Sequence, residues 1–399
     1  MSQALPRNQR FLRIAVVTPI LPVPHDPTRG RYIHETARAL GRLADVRTWF
    51  AQPRYPSLPG LAPRSFLDGN VGADYALDGL DLDAFTYPAL PGLSRVSNGY
   101  AIARALKPRI RTFAPDVVLA YWLYPDGFGA LRCARALDLP CIVGARGSDI
   151  HVRSGLNATM TRRTISRADA LLTVSDAMRL SAIERYGAVP DRTHTIVNGF
   201  DTGVFHPRPQ AAMREKLGLP PDGRLLVYVG RLVATKGLLE LVEAFGALAA
   251  ADPHLRLALV GDGVMREQLR ATIRSNGLEG RVLMPGAMEP AGVAEWICAA
   301  DLLTLPSWSE GYPNVVVEAI ACGRPVVATD VGGTREIVDA SNGLLVPPRD
   351  AAALRGALDT ALSHPWDREA IATAIARSWH DVAVDTLAVC HRVVAAGGR

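Results

Sequence analysis

Between Leu305 and Gly333 the chain reads LPSWSEGYPNVVVEAIACGRPVVATDVGG, and Glu310 and Glu318 stand eight positions apart across a Gly-Tyr-Pro-Asn turn. The run before them, 300–305, is mostly apolar after Asp301 and short, as a buried parallel strand is. Pro313 at the first helical position, with Asn314 beside it, predicts a helix VVVEAIAC whose free N–H groups point back into the turn. Such a helix start favours an anion. Glu318 lies one turn inside that helix and Glu310 on the loop before it. Both can therefore face one small polar ligand, such as a dinucleotide or a nucleotide carrying a sugar. A capped surface helix with two solvated glutamates would satisfy the same pattern. What favours the ligand lies about 80 residues upstream, where the apolar run 225–229 leads straight into Gly230-Arg231-Leu232 and then Lys236-Gly237. Arg231 and Lys236 leave the C-terminal end of a buried strand, where open α/β sheets bind ligands. Opposite the Asn314 helix start, they would hold a diphosphate by charge-assisted hydrogen bonds.

The elements that must carry these residues alternate along the whole chain. Strands are predicted at 14–18, 46–50, 117–121, 141–144 and 170–174, then at 225–229, 255–260, 282–284, 302–305 and 326–328. Helices are predicted at 32–43, 127–137, 158–167 and 176–186, the last capped by Ser175, and again at 237–250 and 264–275. That alternation predicts an α/β fold with doubly wound parallel sheets. A length of 399 residues suits two domains, each able to bury its own core. The turn-rich segment 196–209 places the hinge, giving domains 1–203 and 204–377. Between 53 and 93 the pattern lapses into Pro, Gly and Asp, an insertion or a loop bearing on the acceptor. The tail, 370–396, reads as helix.

Together, G-R-L-x3-K-G and S-x-x-E-G-x-P-N-x3-E-A make the chain resemble the retaining glycosyltransferases of family 4, which have the two-domain GT-B fold. The resemblance covers nearly the whole chain and is sharpest over 225–346. It implies two Rossmann-like domains facing a cleft, with a last helix, about 378–396, packing back on the first. It implies transfer of a hexosyl group from a nucleoside-diphosphate sugar, UDP or GDP, to a glycan or lipid-linked acceptor, in cell-surface polysaccharide or glycolipid synthesis. The C-terminal domain would bind the donor and the N-terminal domain the acceptor. Arg231 and Lys236 match the pair that grips the diphosphate and stabilises charge on the leaving phosphate. Glu318 matches the carboxylate on the ribose hydroxyls, and Glu310 the one beside the transferred sugar. Gly311, Tyr312, Asn314 and Val315 fall where backbone approaches sugar and phosphate. Gly230, Gly261 and Gly263 would line the same site, and Met284 and Pro285 lie where the family contacts the base. Gly30 resembles the glycine that lets phosphate near backbone.

One motif departs from the family. Many relatives carry His-Gly-x-Asp where this chain has Arg146, Gly147 and Asp149. Arginine cannot act as a base at neutral pH. It could bind an acidic sugar or an anionic acceptor, or pair with Asp149; His151 is a second candidate on the sugar side. In this family the donor phosphate is thought to take the acceptor proton, so the missing histidine leaves transfer intact. Two alternatives stay open: a nucleotide-sugar 2-epimerase on the same fold, and a non-catalytic nucleotide- or glycan-binding relative.

Charge and composition add to this. The net charge is +5, and 25 Lys/Arg against 16 Asp/Glu in residues 1–200 leave 19 against 23 in the rest. The basic groups Arg104-Lys107-Arg109-Arg111 and Arg153-Arg162-Arg163-Arg167 would draw an anionic membrane surface or a phosphate-bearing acceptor. No nucleic-acid reading motif accompanies them. Asp81-Leu82-Asp83 sits in the irregular region and reads as loop rather than metal motif, so metal-independent transfer without a cofactor is expected. The five cysteines sit singly without metal spacing, and with no membrane-length apolar run the chain is expected to be cytoplasmic, at most peripheral on the inner membrane face. The apolar run near the start reads as a first strand, not a signal peptide.

Overall fold

The structure, a computed structural model, describes residues 11–24, 26–55, 71–72, 74–90, 97–147, 150 and 155–397. It divides into two units, Met1–Asn198 with Trp379–Arg399, and Gly199–Ser378.

The N-terminal unit holds seven strands: β1 (Arg13–Thr18), β2 (Asp45–Arg54), β3 (Asp81–Pro88), β4 (Val117–Tyr121), β5 (Cys141–Gly144), β6 (Ala170–Thr173) and β7 (Thr193–Thr195). They lie in the order β3-β2-β1-β4-β5-β6-β7, and every neighbouring pair is parallel. Every residue of β4 is buried, as a strand covered by helices on both faces must be. The helix Asp176–Tyr186 begins as predicted, with the Ser175 hydroxyl accepting from the Met178 N–H at 3.2 Å. The predicted tail helix is broken in two, Arg368–Thr373 and Trp379–Gly397. The second piece belongs to the N-terminal unit, where Val382, Ala383, Val389 and Cys390 join Ile14 and Val16 in one core.

The C-terminal unit holds β8 (Leu225–Val229), β9 (Arg256–Val260), β10 (Val282–Gly286), β11 (Leu302–Leu305), β12 (Val326–Thr329) and β13 (Gly343–Val346), ordered β10-β9-β8-β11-β12-β13 and all parallel. Strand order reverses between β8 and β11. The loops leaving these two strands therefore flank the point where doubly wound sheets open for a ligand.

Three strands were not legible in the sequence: β3, β7 and β13. Each is a sheet edge. An edge strand needs no continuous apolar run, and β3 alternates DLDAFTYP with only Phe85 and Tyr87 buried. Asp81-Leu82-Asp83 is thus not a loop but the start of β3. Asp83 accepts from the Trp49 indole at 3.1 Å and lies 3.3 Å from Arg109; Asp81 lies 3.5 Å from Arg47. The two carboxylates tie down a sheet edge. The pairing also engages Arg109, one of the basic cluster on the helix Asn98–Phe113, whereas Arg153 of the second cluster lies outside the described residues. All five cysteines are free and buried, and the Cys298 thiol donates to the His206 carbonyl at 3.5 Å.

The turn after β4 carries an unusual acid. Asp126 is 1% exposed, its Oδ1 has no hydrogen-bond partner among the described residues, and burial pushes its carboxyl up to about 8. The unfolded chain gives up that proton near the ordinary aspartate value of about 4, whereas the folded chain keeps it. Stability therefore falls as pH rises from about 4 to about 8 and then levels. Asp126→Asn is expected to melt above the parent at pH 8 and to converge with it near pH 4. Equal midpoints at pH 8 would mean that the carboxyl is solvated.

Candidate functional site

The C-terminal ends of β8 and β11 build the site. β8 ends at Val229, and the chain leaves through Gly230 and Arg231 to Leu232, which is fully buried and anchors the loop. A single helical turn, Ala234–Lys236, then joins the helix Leu238–Ala251. Arg231 is exposed and makes no salt bridge with any described residue, while Lys236 reaches across to the loop after β11. There its Nζ lies 2.5 Å from Glu310 Oε1, with side chains 18% and 12% exposed. So the structure brings Lys236 and Glu310 together. Glu318 lies on the helix Asn314–Ala321, half-buried. Pro313 caps that helix from outside rather than opening it, because its ψ of 98° is extended, not helical. Val315 is the second helical residue, so its N–H precedes the first i→i−4 bond and remains available to an anion.

The neighbouring loops stack backbone on backbone. A Cβ on Gly261 would lie 1.9 Å from the Gly230 carbonyl oxygen, so only glycine admits this approach. Asp262 O accepts from Leu232 N–H at 2.8 Å, and Gly286 O from Gly261 N–H at 2.8 Å. Gly263 sits on Leu232 in the same way. Met284 and Pro285 lie not in a loop but in β10 itself, which continues to Gly286 past a register irregularity at Leu283. The Met284 carbonyl accepts from Arg266 at 3.3 Å, which ties the start of the helix Arg266–Ser275 to β10.

Four residues without a role in the sequence reading shape the site. Gly332, in the turn after β12, packs against the Glu310 carbonyl, and Gly333 N–H donates to Gly311 O at 3.0 Å. Tyr228 is fully buried beneath the loop and donates to the Arg231 carbonyl at 2.9 Å. Burial drives its phenol far above the ordinary value, the Glu310 carboxylate adding to the effect, so it stays a neutral donor. Only its place in the apolar run LLVYV hinted at this. Trp308 joins the loops after β8 and β11. Burial likewise pushes Tyr312 up to about 12.

In the N-terminal unit, Gly30 precedes the helix Arg31–Leu40, and a Cβ there would lie 2.7 Å from the Ile20 carbonyl oxygen. Arg146 stacks on aromatic rings, its guanidinium 4.2 Å from the Tyr121 centroid and 5.6 Å from that of Tyr32, and donates to Asn198 Oδ1 at 3.0 Å. Asp149 and His151 lie outside the described residues.

Residues 30–204 match the model of glycosyltransferase family 4, and residues 223–364 that of glycosyl transferases group 1. The chain belongs to glycosyltransferase family 4. Among relatives of this family 4 chain, TuaC of Bacillus subtilis, described as a teichuronic acid biosynthesis glycosyltransferase, is 27% identical over 368 residues, 87% of this chain and 88% of TuaC. The D-inositol 3-phosphate glycosyltransferase of Acidothermus cellulolyticus is 34% identical over 239 residues, 56% of this chain, and is itself only about half spanned, at 53%. Sucrose-phosphate synthase from Thermosynechococcus elongatus superposes with a TM-score of 0.75 at 20% identity, covering 96% of this chain and 100% of that one. Anabaena HepE, solved with UDP, gives 0.70 at 20%, covering 96% and 99%. These structures show the fold, GT-B, and the family makes the chain a glycosyltransferase.

Proposed function

We propose that this glycosyltransferase moves a hexosyl group, with retention of configuration, from a nucleoside-diphosphate sugar to a glycan or lipid-linked acceptor of the cell surface. The C-terminal unit takes the donor and the N-terminal unit the acceptor. The observation that carries the reading is the convergence of Lys236 and Glu310 at the strand-order reversal, with Arg231 and the Asn314 helix start on the same two loops. Cations held there neutralise the diphosphate in the ground state and, more strongly, the charge that develops as the sugar leaves. They supply what a metal ion supplies elsewhere, so transfer proceeds in EDTA. Glu310, displaced from Lys236 by phosphate, turns to the sugar hydroxyls, and Glu318 accepts from the ribose. UDP is favoured as the nucleotide, since HepE, of the same fold, holds UDP. TuaC supports a polysaccharide product. Among the described residues no helix is long and apolar enough to cross a membrane. The basic face of the N-terminal unit fits a place at the inner membrane surface.

The test is a thermal-shift panel of UDP, GDP, ADP and CMP in EDTA, followed by NMR of the product's anomeric proton with the sugar donor so indicated. A shift with one diphosphate supports the donor site by mass action. No shift with any of them, or an inverted anomer, overturns the reading. Glu318→Ala is expected to weaken binding of that nucleotide by about tenfold or more, on the scale of a lost charged hydrogen bond of about 1.5–3 kcal/mol, with an unchanged melting midpoint of the free protein. An unaltered dissociation constant would remove the ribose role.

A further inference from the structure

β8 and β11 are neighbours, but their ladder ends early: the paired residues are Leu302 with Leu226 and Leu303 with Val227. Beyond that point no strand pairing holds the two exit loops together, yet Lys236 and Glu310 sit on them at 2.5 Å. One residue spans the gap twice. The main-chain N–H of Trp308 donates to Thr235 O at 2.8 Å, immediately before Lys236. Its indole N–H donates to Glu240 Oε1 at 2.9 Å, on the first turn of the helix that follows Lys236. Arg349 lies over the indole, its guanidinium 4.4 Å from the ring centroid.

We propose that Trp308 is a positioning residue for the nucleoside diphosphate, holding the loop of Glu310 on the turn of Lys236 so that the ammonium is already placed when phosphate arrives. This deepens the donor-site reading above and rests on it. Lysine has a long, mobile side chain, and fixing it before binding spares part of the ordering cost that binding otherwise carries. The indole bond is to a charged acceptor in a half-buried setting, the stronger kind of hydrogen bond. Trp308 itself need not touch the ligand; it acts through Lys236.

The experiment is a calorimetric titration of the full chain with UDP and with GDP. Trp308→Phe keeps an aromatic ring and the main-chain bond, and removes the indole N–H together with part of the ring, whereas Glu240→Ala removes the acceptor of the same bond and leaves the indole whole. It is expected to weaken diphosphate binding about tenfold, equivalent to about 1.4 kcal/mol. Glu240→Ala should do the same, and the double variant should be no weaker than either single one, since both remove one bond. On a Lys236→Ala background Trp308→Phe should change nothing further. Binding within twofold of the parent in Trp308→Phe, while Lys236→Ala is impaired, overturns the inference and leaves the donor site standing. So does an equal loss on both backgrounds, which would mark a general packing role. If neither diphosphate binds the parent chain, the donor-site reading fails and this inference falls with it.

Discussion

Lys236→Ala is expected to lower kcat by about 10²–10³-fold, the scale seen when one donor to a developing oxyanion is removed. The argument is electrostatic. As the sugar departs, negative charge collects on the leaving phosphate, and an ammonium already in place stabilises that state more than the bound donor. Loss should therefore appear chiefly in kcat, with a smaller change in KM. The Lys236–Glu310 pair brings a second effect. Removing the ammonium leaves Glu310, 12% exposed, without its partner at 2.5 Å. An uncompensated half-buried carboxylate destabilises its loop, so some loss of melting temperature should accompany the kinetic effect. Lys236→Ala combined with Glu310→Gln separates the two, because it restores the midpoint without restoring turnover. A kcat within threefold of the parent would remove Lys236 from the reaction.

Gly332→Ala is expected to disable the site from a residue that needs no ligand contact. Its Cβ would lie 1.9 Å from the Glu310 carbonyl oxygen, and backbone cannot yield there as a side-chain tip could. The loop bearing Glu310 and Gly311 must move, with an overpacking cost of about 1–3 kcal/mol. Nucleoside-diphosphate affinity should fall by about tenfold or more, together with a lower melting midpoint. Gly277→Ala is the control. Gly277 has a similar left-handed φ, 65° against 54°, but open space around its missing Cβ. It pays the backbone strain alone and should bind nucleotide like the parent. Equal affinity in both variants would mean that the Gly332 contact does not position Glu310.

Both expectations concern the same short loops, and the two differ in how far the sequence foretold them. Lys236, Glu310 and Glu318 were legible because their spacing sits beside apolar runs that can only be buried strands. Those runs, 225–229 and 302–305, are central in the sheet, covered on both faces, and so leave an unbroken signature. The same physics hid β3 and β7, whose edge positions demand no such run and whose sequences DLDAFTYP and THT carry none. It also misassigned Asp81-Leu82-Asp83, since charges that close a sheet edge read as a loop in one dimension. What the sequence determined by itself was the α/β class, the family resemblance and the titratable groups that could hold a diphosphate. What only the tertiary structure decided was their pairing. The strand order sets β8 against β11, which brings Lys236 onto Glu310 across 74 residues of chain. It also lays Gly332 on Glu310 and Trp308 on Glu240. Such contacts depend on which strands become neighbours, and a parallel sheet makes neighbours of strands far apart in sequence.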